Sequence, residues 1–518
     1  MSDPKPTPIS PVQSTSLGKE FHLDPTAYTM VKLDLFPSGA KLGDPPVSGK
    51  PYDLRPQTNT VVINEGINQN AVHVSIGILD SLGVIDNLRI QGGEKVDLHI
   101  QQKIKQTIIQ GEKREDIQKD IELELYVSDI KDFEKFNIDT QTYIIECVTE
   151  SAYINQLTVL NKDFDGVPGE LIKDIAKGTL KIESDIIDNF APNIQSMKKL
   201  VEAGLEPQAV SFKRKHGKEI QALGGQSDRG YGKPIKGIYP KIRPFAAINW
   251  LLRNANDAGA PVFFFESVLC GHRLLSWEDL VFGWDPYEGE QYTNSPLPEK
   301  GEKLTTEDLE WYDRKRRVIS VIKSSLGLSK FNDVKQGAYA SNLTAVDIST
   351  KNYKSGKKGK VYDYKEDQMA KLNKYKPFST KPKFHDGPFH KNKNSRNFFI
   401  SQNKYAFDTD NYHSAIELGD IQKKTSYIAN MDMLTHTIVL PGDPILTAGS
   451  KIELKIWKLQ NFSEKDKLID KQVEGDQLMS GKFIIRQLSH IFSPEGYSME
   501  LDCIKDSSLV DLDEEYTL

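Results

Sequence analysis

Cysteine is scarce in this 518-residue chain, and the scarcity excludes a disulfide framework. The three present, Cys147, Cys270 and Cys503, lie far apart among apolar neighbours and read as small buried hydrophobes from a reducing compartment. Positive charge is not in excess either. With 67 Lys and Arg against 73 Asp and Glu, the net charge of −6 disfavours bulk nucleic-acid binding. No apolar run approaches the ~20 residues of a membrane span, so no stable membrane insertion is expected. The opening MSDPKPTPISPVQSTSLGKE lacks the apolar segment of a secretory leader. Rich in Pro, Ser and Thr, residues 1–27 read as a disordered arm. A fixed-period repeat is missing too.

Catalytic constellations are equally scarce. Asn161-Lys-Asp163-Phe-Asp165-Gly166 imitates the front of a calcium loop, but Ile172 stands where the closing Glu belongs and Pro168 interrupts it. The Gly-rich stretch from Gly224 to Lys233 ends in Pro234 where a phosphate loop needs Ser or Thr. The ten histidines are scattered; His385 and His390 lie five apart with no Cys nearby, so zinc is not expected. His272 and His490 end or follow apolar strands and read as structural. Carboxylates such as Glu122 and Glu124, or Asp511, Asp513, Glu514 and Glu515, sit on a wet strand face and a tail. No catalytic residue, cofactor or metal is therefore expected, and the chain does not read as an enzyme.

What is present is scaffold. Strand alternation is clear in Val96, Leu98 and Ile100, in Ile121, Leu123, Leu125 and Val127, and in Tyr143, Ile145 and Cys147. This marks 28–150 as an antiparallel β domain with one wet face. Residues 151–242 mix helix and loop, with a helix between Pro168 and Gly178 and a long loop over 221–239. The run RPFAAINWLLRNANDAGAPVFFFESVLCGHRLLSWEDL opens an α/β module over 243–350. In it Pro244 starts a helix, Gly259 and Pro261 follow its end, and the Phe263–Phe265 run reads as a buried strand. Thr305–Lys323 reads as a capped, charged helix. Residues 351–400 form a basic loop or linker, in which Lys and Arg exceed acids by ten over 351–396, interleaved with Tyr353, Tyr362, Tyr364, Tyr375, Phe378, Phe384 and Phe389. A second β domain covers 401–508, and 509–518 reads as a mobile acidic tail. The fold class is α+β and β-rich, multidomain.

Three segments together resemble the baseplate hub protein of contractile-tailed, T4-like bacteriophages. The first is SIGILDSLGVIDNLRIQGGEKVDLHI, with its Asp80-Ser81 turn, Leu88–Ile90 strand and Gly92-Gly93-Glu94 turn, similar to a first barrel hairpin. The second is the 243–280 run with Trp250-Leu251 and Ser276 leading to Leu280. The third runs from Pro441-Gly442 through Ser480-Gly481 to His490 and Tyr497. The resemblance implies two tail-tube-like antiparallel β-barrel domains per chain with inserted α/β modules. It further implies a homotrimer joining the tail tube to the central spike, a structural virion protein of the phage tail baseplate made in the host cytoplasm. Its partners would be the spike, the tail tube or a tube-initiator protein, baseplate wedge proteins, and phage DNA in transit through the channel. Two rivals stand beside it: a cell-envelope hydrolase of a phage tail, and a nucleic-acid-binding factor using 351–396.

Overall fold

The structure is a computed structural model that describes residues 26–37, 51–106, 115–182 without 138, most of 231–282, 291–293, 316–347 without 327–329, parts of 352–401, 418–457 and 475–513, with two short pieces at 212–213 and 219–220. The N-terminal alternation forms seven strands: β1 Thr29–Phe36, β2 Tyr52–Asp53, β3 Thr58–Gly66, β4 His73–Asp80, β5 Lys95–Gln106, β6 Glu115–Lys135 and β7 Gln141–Val148. A short helix, α1 Val84–Leu88, separates β4 from β5. Helices α2 Glu150–Leu157 and α3 Pro168–Gly178 flank strand β8 Asp163–Gly166, which pairs with β9 Ile235–Ile238. Then come α4 Pro244–Asn254, the hairpin β10 Val262–Ser267 and β11 Gly271–Ser276, α5 Trp277–Phe282 and β12 Gln291–Thr293. Next are β13 Ser320–Leu326, α6 Lys330–Gln336, and the small sheet of β14 Ala340–Asp347 with β15 Asn352–Lys354, β16 Lys360–Asp363 and β17 Asn397–Ser401. Helix α7 Leu418–Met431 leads into β18 Leu434–Pro441, β19 Lys451–Lys455, β20 Gly481–Ser493 and β21 Gly496–Lys505.

Thirteen of these strands make one sheet, in the order β13-β18-β21-β20-β3-β4-β7-β6-β5-β1-β2, with β19 also on β20 and β12 on β19. Every pair is antiparallel except β12–β19. The β-rich, multidomain fold expected from patterning is the one found. What patterning does not show is the seam: β3 of the N-terminal region pairs with β20 of the C-terminal region, from Val61 opposite Phe492 to Gly66 opposite Gln487. The two regions accordingly share one apolar core, in which Leu33, Val61, Ile76 and Ile145 join Leu440, Phe483, Leu488 and Leu501. Full burial of each such side chain contributes about 1.5–3 kcal/mol, so the seam rests on apolar area as well as on its ladder. A second core lies between α3, α4 and the β10–β11 hairpin, built on Ile172, Ile175, Ile248, Leu251, Phe264 and Leu274.

Four expectations need correction. Leu88–Ile90 is not a strand. The Asp80 carboxylate accepts the amides of Leu82 and Val84, starting α1, and Arg89 then turns left-handed at φ 50°. Of the helix expected over Thr305–Lys323, residues 305–315 lie outside the described residues, and Ser320–Lys323 is strand β13, paired with β18. Its β-branched Val318-Ile319 and Val321-Ile322 fit a pleated surface, and an open sheet edge was there to receive them. The basic segment is more than a loop: it supplies β15, β16 and β17, and Phe378 is buried against Tyr339 at 4.2 Å. The tail is docked as far as it is described. Asp513 accepts hydrogen bonds from Lys376 Nζ, Ser379 Oγ, and the amide and hydroxyl of Thr380 at 2.6–2.7 Å. Of the arm expected over 1–27, residues 1–25 lie outside the described residues, and the Thr26 carbonyl accepts the amide of Tyr497 at 2.8 Å.

Candidate functional site

The residues singled out by sequence do not converge on one site; each fixes a turn or a core. Buried Asp80 also accepts Gln141 Nε2 and Tyr143 Oη, and these hydrogen bonds outweigh the upward push of burial, leaving its carboxyl below the usual range. Ser81 beside it is exposed. Glu94 accepts the amides of Gln91 and Gly92, closing a turn that needs φ 103° at Gly92 and 88° at Gly93. Ser276 and Asp279 form a reciprocal cap at the start of α5, each side chain accepting the other's amide, and Leu280 faces a third core with Phe265 and Trp277. Leu251 is fully buried, whereas Trp250 is exposed and meets Phe164 edge-on at 5.6 Å. Ser480 exchanges hydrogen bonds with the backbone of Ile456, and Gly481 opens β20. His490 is buried; its Nδ1 lies 2.7 Å from Tyr497 Oη, its Nε2 has no partner among the described residues, and burial pushes its pKa down to about 3.

Two buried polar groups tie the module to the sheet; the sequence reading takes His272 of the second as structural and misses the carboxylates Glu65 and Glu266. Glu65, near the end of β3, is wholly buried. It accepts Thr447 Oγ1 at 2.8 Å, Ala448 N at 2.7 Å and Val268 N, so one carboxylate ties two remote segments to β3. Burial raises its pKa to about 7, against the pull of those donors and of Arg273. No local pattern marks such a residue, because its partners lie 203 to 383 positions away.

The second group places Ser151 Oγ 3.3 Å from His272 Nε2, and His272 Nδ1 3.6 Å from Glu266 Oε1. The order is that of a nucleophile, base and acid. Its geometry is that of a brace. The carboxylate-to-imidazole separation is too long for a hydrogen bond. Glu266 Oε2 is already taken by Val72 N at 2.9 Å and Thr149 Oγ1 at 2.6 Å. Ser151 and His272 are both buried, and burial lowers the His272 pKa, so the imidazole is held neutral. The group locks the start of α2 onto the β10–β11 hairpin.

The surface offers two further features. Strand β13 ends the sheet, and all seven of its residues are exposed; Ile322 is 57% exposed and Leu326 45%. Its outer edge has no strand partner among the described residues. On the solvent face of β5 and β6, His99, Asp120 and Glu122 bring three metal-ligating atoms within 4.8 Å of one another.

No protein-family model matches the chain, and no curated protein matches it by sequence. Among solved structures, it is similar to a tail protein from Neisseria meningitidis MC58, at 11% identity over 92% of this chain and 97% of that one, with a TM-score of 0.42. The 43 kDa tail protein of prophage MuSo2 from Shewanella oneidensis shows 9% identity over 93% and 100%, with a TM-score of 0.44. An Escherichia coli protein described as a component of the type VI secretion system shows 8% identity over 89% and 76%, at 0.37.

Proposed function

We propose that the chain is a structural virion protein, a homotrimeric baseplate hub that joins a phage tail tube to its central spike. The observation that carries the reading is the single long sheet, built from both ends of the chain around one core and ending in β13, which exposes Val321, Ile322 and Leu326 and has no outer strand partner among the described residues. A sheet of this kind makes each copy a wall segment. Exposed edges that carry Ile, Val and Leu are unstable in isolation and call for a partner strand. Head-to-tail contact of such an edge with another copy gives a closed ring when the rotation closes. The buried carboxylate and histidine groups brace the module against that wall, which supports a structural rather than a catalytic role. Spike, tube or tube-initiator protein and wedge proteins would meet the remaining faces. A net charge of −6 suits a channel wall that lets DNA pass without holding it.

Native mass spectrometry of the purified chain, alone and with a spike protein, tests this. The expected species is about three times the 58.5 kDa chain mass, and Ile322→Lys shifts the population toward the single chain. A wild-type chain that stays single at every concentration, with and without spike, overturns the reading.

A further inference from the structure

We propose that His99, Asp120 and Glu122 form a binding site for a divalent first-row transition ion on the solvent face of β5 and β6. The site is independent of the hub reading. It stands on a block of four donor-bearing residues in two adjacent cross-strand pairs: His99 lies opposite Glu122, and Gln101 opposite Asp120. Because side chains alternate, these four share one face, while Leu98, Ile100, Ile121 and Leu123 between them point to the other. Ile100 and Ile121 are buried in the main core beneath the block. The β5–β6 ladder runs through twelve residue pairs, Lys95–Gln106 against Glu115–Tyr126, without a register shift, so the backbone under the block is regular.

The side-chain geometry follows from that register. His99 Nε2 stands 3.5 Å from Asp120 Oδ2 and 3.7 Å from Glu122 Oε1. Ligand bonds of about 2.0–2.2 Å at tetrahedral angles place donor atoms roughly 3.3–3.6 Å apart, which the two His99 separations nearly match, while the Asp120 and Glu122 oxygens, within 4.8 Å of each other, close onto the ion by side-chain rotation. One imidazole and two carboxylates are a donor set that zinc, cobalt, manganese and iron all accept. Three protein ligands leave a fourth position for water or for the Gln101 amide, whose nitrogen lies 3.3 Å from His99 Nε2. Turning that amide over presents its carbonyl oxygen to the ion instead. The side chains are partly exposed, at 22% for His99, 28% for Asp120 and 56% for Glu122, so an ion can enter from solvent.

The rival account is an imidazolium paired with two carboxylates, which needs no metal. The two accounts are separated by titrating the full chain with zinc by calorimetry and with cobalt by visible absorption, in a buffer that does not chelate. The expected result is one equivalent of each metal, with a cobalt d–d band that saturates at that equivalence. His99→Ala and Asp120→Asn should each weaken binding at least about tenfold and abolish the band, with the far-ultraviolet circular dichroism unchanged. Glu122→Gln gives a third reading that leaves the histidine in place. The proposal is overturned if the wild-type chain shows no saturable equivalent, or if the substituted chains bind as it does.

Discussion

His490 and Glu65 make the stability of the sheet depend on pH in opposite windows. For His490 the folded pKa of about 3 lies below the ordinary 6.5, so the unfolded chain binds more protons between those values. Its contribution is therefore complete above pH 6.5 and is lost as pH falls toward 3. At pH 4 the loss is about 3 kcal/mol. His490→Gln should unfold earlier than wild type at pH 7.5, and the gap between their denaturation midpoints should shrink or reverse at pH 4. A constant gap would contradict the buried neutral imidazole. Glu65 works the other way. Its folded pKa of about 7 exceeds the ordinary 4.5, so stability is full below pH 4.5 and is lost as pH rises through 7, by about 3 kcal/mol. Glu65→Gln turns one acceptor toward the donors Thr447, Ala448 and Val268, which costs about 1–3 kcal/mol. The deficit of that variant should narrow steadily between pH 4.5 and 7.5 in a thermal melt series.

At the scale of elements, the joint between α4 and α7 depends on a half-buried cation. Lys424 Nζ donates to the carbonyls of Leu252, Arg253 and Ala255 at 2.8–3.1 Å, satisfying the last turn of α4, and burial lowers its pKa to about 8. Lys424→Met leaves those carbonyls without their donor and should cost about 2–3 kcal/mol, read as faster hydrogen exchange confined to α4 and α7. The turn after β18 depends on space: a Cβ at Gly442 would lie 2.1 Å from the Tyr497 ring. Gly442→Ala must displace the ring that holds His490, an overpacking cost of about 1–3 kcal/mol seen as a lower midpoint. Elements of this kind were unevenly legible in sequence. Helix α4, with Pro244 at its first turn, and the β10–β11 hairpin could be read because their signals are local. Strand β13 could not, since a plausible cap and the basic triplet Arg314 to Arg316 carry helix signals up to its border, and only the edge of β18 decides for a strand at Ser320. Helix α1 escaped because its nucleus is one carboxylate, Asp80, rather than a period. The bracing residues Glu65 and Glu266 were invisible for the same reason on a larger scale: their meaning lies wholly in remote partners.

The whole molecule turns on the β3–β20 seam. Six residue pairs cross it, from Val61–Phe492 to Gly66–Gln487, and Ser489 Oγ donates to Asn64 Oδ1 at 2.7 Å. Val61 and Ile63 on one side and Leu488 and Phe492 on the other belong to the same core. Cutting the chain at the expected β-domain borders would therefore strip β3 of one of its two ladder partners, leaving only β4, and expose the core edge of both pieces. Residues 28–150 expressed alone should show dispersed strand content but poor amide protection in β3 and β4, and should aggregate through the bared strand. Mixing them with residues 401–518 should restore protection at Val61 to Glu65 and yield a stable complex. Hydrogen exchange on the fragments, separately and together, measures this. If 28–150 alone protected β3 as fully as the intact chain does, the two β regions would be independent folding units that merely touch. The seam would then carry little of the sheet's stability, and the case for one continuous structural sheet would fall with it.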